Sequence, residues 1–215
     1  MLLDRTIGKA GTVAVGEYSP EGKLVGFKSK EGFSPELAAM ASQFAATVRM
    51  FLGTMAASFS HLTELPLVPY QGFIFSGGDM SSVIRQENWA IVQTRESELA
   101  PAGDAVERGL DDILKIPGVR FAAYYAPDGG VIACKQTIGF APDVRATATQ
   151  LVASSTAALL GLATAFSHLS KASWTPVHAW LYAGGDWVVA VSPCCWILAE
   201  AGEAETQELY RALVR

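Results

Sequence analysis

The residues best suited to chemistry are three cysteines, Cys134 and the adjacent pair Cys194 and Cys195. A thiol redox or sulfur-carrying role needs an exposed thiolate with a pKa lowered by a nearby cation or helix end. No Lys or Arg lies close to the vicinal pair in sequence, and there is no Cys-x-x-Cys. Pro193 puts the pair at a connection between strands, where alternation turns one thiol inward and the other outward. The competing account, small apolar fillers in a sheet, suits these residue types better. Three cysteines, two of them adjacent, cannot build a disulfide framework, so a reducing, cytoplasmic compartment is expected.

Three histidines come next. His61 and His168 fall at equivalent C-terminal positions of two long helices, where imidazole interacts favourably with the negative helix end. As a pair they could hold a metal, but without a Cys or carboxylate motif beside them no metal site is expected. His178 adds little. Gly77-Gly78-Asp79 and Gly184-Gly185-Asp186 could cradle phosphate, yet each lies between strands, so each reads as a hairpin turn. Gly8-Lys9-Ala10-Gly11-Thr12 lacks the spacing of a phosphate-wrapping loop. No nucleophile-elbow, zinc-protease or paired-carboxylate motif is present, and neither catalysis nor a cofactor is expected. Trp174, Trp180, Tyr182 and Trp187 cluster around one meander, where such residues are more often core than exposed. They form a candidate partner-binding patch, since Trp and Tyr dominate interaction hot spots.

Charge and hydropathy narrow the partner classes. The 215 residues are 50% hydrophobic and 17% charged, a folded composition, with net charge -5. An acidic balance argues against a general nucleic-acid binder. The N-terminal residues include Asp4 and no apolar core segment, so no secretory leader is expected. No charged residue occurs between Arg145 and Lys171, a stretch long enough to span a bilayer. Its Ala, Thr and Ser content, with Gln150 and His168 inside, fits a buried core helix better than a membrane span.

These residues are positioned by an internal repeat. Tyr18-Ser19-Pro20-Glu21-Gly22 matches Tyr125-Ala126-Pro127-Asp128-Gly129. Gly32-Phe33-Ser34-Pro35-Glu36 matches Gly139-Phe140-Ala141-Pro142-Asp143, and Phe59-Ser60-His61-Leu62 matches Phe166-Ser167-His168-Leu169. The two Gly-Gly-Asp turns match, as do Trp89 and Trp196. Every pair is offset by 107, and residues 1–107 share 28 identities with 108–214 without a gap. The chain therefore reads as a tandem duplication, with repeats at 1–105 and 106–215 and a shared helical linker at about 97–115. The copies have diverged in charge, -4 for residues 1–107 and -1 for 108–215.

Each repeat has one order of elements. In the second, a helix over Leu110–Ile116 stops at Pro117-Gly118. Strands follow at Val119–Tyr125 and Val131–Thr137, across a Pro-Asp-Gly-Gly turn. A long helix opens at Pro142, where a missing donor is harmless, and runs to about Leu169. Strands at Val177–Ala183, Trp187–Val191 and Trp196–Ala201 form a meander, closed by an amphipathic helix over Glu203–Arg215. The first repeat predicts strands at 12–18, 24–30, 70–76, 80–85 and 88–94. Its long helix, 35–62, carries Leu37, Ala41, Phe44, Val48, Phe51, Met55 and Phe59 on one stripe. The fold class is α+β: two α-ββ-α-βββ-α repeats, each a five-stranded antiparallel sheet covered by helices.

A two-strand hairpin, a long helix and a three-strand meander in this order resemble the roadblock family, relatives of a dynein light chain within the longin- and profilin-like group. The resemblance is carried by the Tyr-x-Pro-x-Gly turns, the helices after Pro35 and Pro142 and the Gly-Gly-Asp turns, and it covers both repeats. Roadblock-type domains usually work as dimers, with middle-strand edges joined into one sheet and the long helices packed upon it. The resemblance thus implies an intrachain pseudo-dimer here, with a homodimer of whole chains as a further option. A free sheet edge invites such pairing, and tethering the copies raises their effective concentration to about millimolar levels. The small-residue face of helix 142–169 suits close approach to its counterpart.

The resemblance also implies a non-enzymatic interaction, scaffold or regulatory module whose partner is a small GTPase or the subunits of a multiprotein complex. A second reading, resting on Cys134, Cys194 and Cys195, is an accessory subunit of a cytoplasmic sulfur or thiol redox assembly of heterodisulfide-reductase-like type. A third is a small-ligand sensor with a pocket between sheet and helix, as in related profilin-like folds.

Overall fold

The turn residues place the strand ends within a residue or two of the positions the sequence predicts. The computed structural model describes residues 2–30, 32–94 and 109–214. The first repeat forms α1 (Leu2–Ile7), β1 (Thr12–Tyr18), β2 (Leu24–Ser29), α2 (Pro35–Thr63), β3 (Tyr70–Gly77), β4 (Met80–Ile84) and β5 (Asn88–Gln93). The second forms α3 (Leu110–Ile113), β6 (Val119–Tyr125), β7 (Val131–Gln136), α4 (Pro142–Ser170), β8 (Val177–Gly184), β9 (Trp187–Val191), β10 (Cys195–Glu200) and α5 (Thr206–Leu213).

The long helices start alike and are capped differently. Pro35 and Pro142 each occupy the first helical position. Ser34 caps α2 by accepting from the Leu37 amide at 3.3 Å. Its counterpart Ala141 has no side chain that can do so. Both helices end on a residue in the left-handed conformation, Glu64 at φ 60° and Lys171 at φ 56°. Such an ending turns the chain sharply back toward the sheet.

All ten strands form one antiparallel sheet in the order β2-β1-β5-β4-β3-β8-β9-β10-β6-β7. Each repeat supplies five adjacent strands, and the two fives meet where β3 pairs with β8. The central register sets Phe73 opposite Tyr182 and Phe75 opposite Trp180. One face of the sheet packs against α2 and α4 in a continuous apolar core that contains Phe59, Phe73, Trp89, Phe166, Trp180 and Trp196. A second core lies on the opposite face, formed by Ala122, Leu181, Ala190 and Ile197 with Leu110 and Ile113 of α3 and Leu209, Tyr210 and Leu213 of α5.

Three elements differ from expectation. Helix α3 spans four residues rather than seven, because Leu114–Gly118 turn toward β6. Helix α5 begins at Thr206 rather than Glu203, since Ala201-Gly202-Glu203 form a turn off β10. The small-residue side of α4 is only partly turned toward α2; Ala157, Ala158, Gly161 and Ala165 are exposed. The shared linker expected at 97–115 lies outside the described residues up to 108, and from 109 onward it is the short α3.

Candidate functional site

The Gly-Gly-Asp turns do more than reverse the chain. Each docks onto the loop that follows the other repeat's long helix. Gly78 and Asp79 donate backbone N–H bonds to the carbonyls of Pro176 and Ser173, at 2.9 and 3.1 Å. Gly185 and Asp186 do the same to Pro69 and Pro66, at 3.0 and 3.2 Å. The approach is so close that a Cβ on Gly77 would sit 2.2 Å from the Trp174 carbonyl oxygen, and one on Gly184 2.0 Å from that of Leu67. Side chains complete each clasp. Gln71 Nε2 donates to the Gly185 carbonyl at 2.6 Å, and its equivalent, His178, places Nε2 3.1 Å from the Gly78 carbonyl. Tyr182 Oη donates to the Leu67 carbonyl at 2.8 Å. Glycine is required at these positions because the other repeat's backbone fills the space a side chain would take.

The three cysteines are not brought together, and none is in a disulfide. Cys194 is exposed in the β9–β10 turn and Cys195 is buried at the start of β10, one out and one in, as alternation requires. Cys134 is half-buried on the edge strand β7, two strands from β10 with β6 between them. Cys134 packs against the core beneath the long helices and Cys195 belongs to the core on the opposite face. A disulfide between them would have to cross the sheet. Sequence proximity missed one cation: Arg145, in the first turn of α4, puts Nη1 3.4 Å from the Cys134 sulfur.

The histidines do not converge either. Phe44 near the start of α2 stacks on Phe166 near the end of α4, with ring centroids 5.0 Å apart at 27°. The long helices are therefore antiparallel and centred near Phe51 and Ala158. This leaves His61 and His168 at opposite ends, roughly 28 Å apart at 1.5 Å per residue. No metal-holding cluster occurs among the described residues.

The aromatic cluster is core and not a partner-binding patch. Trp174, Trp180, Tyr182 and Trp187 are 2%, 0%, 0% and 8% exposed, all within the main core. The reason is topological. These side chains lie on the sheet face that α2 and α4 cover, and β8 sits at the middle of that face between β3 and β9. The Trp180 and Trp174 indoles donate to Thr156 Oγ1 and Ser170 Oγ at 2.9 and 3.1 Å, as buried indoles must.

Electrostatics at the surface also follow the repeat. Asp4 pairs with Lys28 and Asp111 with Lys135, at positions 107 apart, tying α1 and α3 to the edge strands β2 and β7. Arg120 on β6 holds Glu200 through two 2.9 Å bonds and Glu203 at 3.1 Å. This hydrogen bonding keeps the Glu200 carboxyl below the usual carboxylate range. Burial pushes the tyrosine hydroxyls up, to about 12 for Tyr182, to about 12 for Tyr125 and beyond that for Tyr70.

The family described as "Uncharacterized conserved protein (DUF2173)" matches the chain twice, over residues 3–106 and 109–215. The chain belongs to this family. No curated protein and no solved structure matches it. The two matched segments correspond to the two runs of five strands, so the family's unit is one half of the sheet with its long helix.

Within this DUF2173 pair the halves are not packed alike. A small cleft opens between Ala41, Phe44, Ala45, Ser82, Ile84, Trp89 and Ile91 of the first copy and Phe166 and Trp174 of the second. Its interior has room for about one water molecule. Ser82 Oγ is buried there without a hydrogen-bond partner. At the equivalent positions the second copy has Val152 for Ala45 and Val189 for Ser82, both 0% exposed, and these fill the space.

The outer side of the helix pair differs from an ordinary protein surface. Between Leu37 and Thr63 the charged side chains number one, Arg49, and it reaches over to the Gln86 carbonyl at 2.8 Å. Helix α4 has none from Ala146 to Ser170. It is long and apolar enough to cross a membrane by length and composition, and one third of its most apolar window is buried.

Proposed function

We propose that the protein is a non-enzymatic interaction module of roadblock type, acting in the cytoplasm on a small GTPase or on the subunits of a multiprotein complex. The observation that supports this reading most is the β3–β8 joint. Two five-stranded sheets meet edge to edge with both long helices on one face. That is the arrangement the roadblock resemblance implies. The Gly-Gly-Asp clasps hold the halves at fixed angles, so the pair presents one rigid platform, as a scaffold requires. Platforms of this kind work through surface shape and need no converging nucleophile, base or metal. Immobilised protein exposed to native lysate, followed by mass spectrometry, tests the reading. A nucleotide-binding protein or a defined set of complex subunits is the expected catch. Recovery of nothing beyond the protein itself would refute it.

A second reading, the sulfur-redox subunit, is favoured by the Arg145–Cys134 contact, which sets a cation beside a half-buried thiol. Thiol titration of the native protein decides it. If neither Cys134 nor Cys194 reacts without denaturant, that reading fails.

A further inference from the structure

The outer face of α2 and α4 carries apolar protrusions and no charge pattern. Met50, Leu160 and Leu169 are 72%, 44% and 58% exposed. Two glycines lie mid-helix on this side, Gly53 and Gly161, and a Cβ at either would meet nothing within 4 Å. A helix-interior glycine costs about 1 kcal/mol relative to alanine. None of the described residues packs against these two, so the described fold does not account for them. Glycine in a helix is useful where another backbone comes close.

The protrusions and hollows are matched through the repeat. Met50 is equivalent to Ala157, and Gly53 to Leu160, under the 107-residue offset. Where one helix has a large side chain, the other has a small one. Phe44 on Phe166 centres the two helices near these positions, so all four residues lie around the pseudo-two-fold axis. A face with this alternation is self-complementary, as an isologous two-fold contact demands. It offers no charges by which a different protein could be selected.

Size supports the same occupant. Each helix has 29 residues, roughly 43 Å at 1.5 Å per residue. Two helices at the usual 8–10 Å spacing present a face roughly 18 Å wide. That is about 800 Å² per chain, what a stable interface buries on each partner.

We propose that a second copy of this chain covers the α2/α4 face, with the two helix layers in contact at Gly53 and Gly161. The inference stands on the helix layer alone and is independent of the small-GTPase reading. A lipid surface is the other apolar occupant of such a face. Interfacial helices usually flank their apolar side with rows of Lys and Arg, whereas these two carry only Arg49 and Arg145.

Light scattering and sedimentation equilibrium on the full chain, from about 5 to 100 µM, above the weak end of the µM-to-pM range of interfaces this size, test the proposal. The expected mass is twice 22.8 kDa. Gly161→Leu and Ala157→Glu should each weaken the dimer at least about tenfold while leaving helix content unchanged. Ile132→Glu, on the exposed edge strand β7, should leave the dimer intact. A wild-type monomer at 100 µM overturns the proposal. So does a dimer lost with Ile132→Glu and kept with both helix variants, or a monomer that floats with neutral lipid vesicles.

Discussion

A methyl group added to Gly185 would sit 1.9 Å from the carbonyl oxygen of Pro66. Gly185 lies in the second repeat and Pro66 in the loop after the first repeat's long helix, so this approach measures how tightly the halves are clasped. Gly185 also has a φ of 53°. Gly185→Ala should therefore destabilise by more than about 3 kcal/mol, the range reserved for steric conflict in a packed core. Gly161→Ala, in open space on a helix, should by contrast stabilise the isolated chain by about 0.5–1 kcal/mol. Denaturant unfolding of both variants, at concentrations too low for self-association, checks the contrast.

Ser82→Val should raise stability. The wild-type hydroxyl is buried without a partner, which costs about 1–3 kcal/mol. Valine at the equivalent position 189 shows that the side chain fits this place in the repeat. A gain of about 1 kcal/mol is expected, read as a rise of roughly 2–4 °C in thermal midpoint for a chain of this size. Ser82→Ala should recover part of the gain. A decrease with both variants would mean that the hydroxyl has a partner in solution.

Ala141→Ser should restore to α4 the cap that Ser34 gives α2. The expected gain is about 0.5–1 kcal/mol, and Ser34→Ala should lose a similar amount. Thermal melts of the two single variants and the double variant check this. The sites lie at opposite ends of the helix layer, so their effects should add.

Alkaline pH should destabilise the fold early. Tyr182 and Tyr125 have folded-state pKa values of about 12 because burial disfavours their charged forms. An unfolded tyrosine ionises near 10. The stability they contribute is fully present below pH 10 and is lost as pH rises through 12. Denaturant midpoints should be flat from pH 8 to roughly 10 and then fall. Tyr182→Phe should reduce the slope, because one of the groups that drive it is gone.

The sequence made the duplication and most of the fold legible because 107-residue identities cluster at turns and caps, where residue type dictates backbone shape. Pro35, Pro142 and the Tyr-x-Pro-x-Gly turns are local signals, and the elements they bound fall where expected. The partners of Gly77 and Gly184 are not local. A Gly-Gly-Asp turn looks the same whether its amides face water or the carbonyls of another repeat, so only the joint reveals its second role. The same limit applies to Trp180 and Tyr182, whose burial depends on the long helices that cover their face of β8. Composition likewise shows α4 to be uncharged from Ala146 to Ser170 but not which of its small residues face outward.

Hydrogen exchange on the native full chain tests whether both repeats form one rigid sheet. Strands β3 and β8, at the middle of the sheet, should exchange at the rate of global unfolding, far more slowly than the edge strands β2 and β7. If β3 and β8 exchange as fast as those edges, the halves are not joined there.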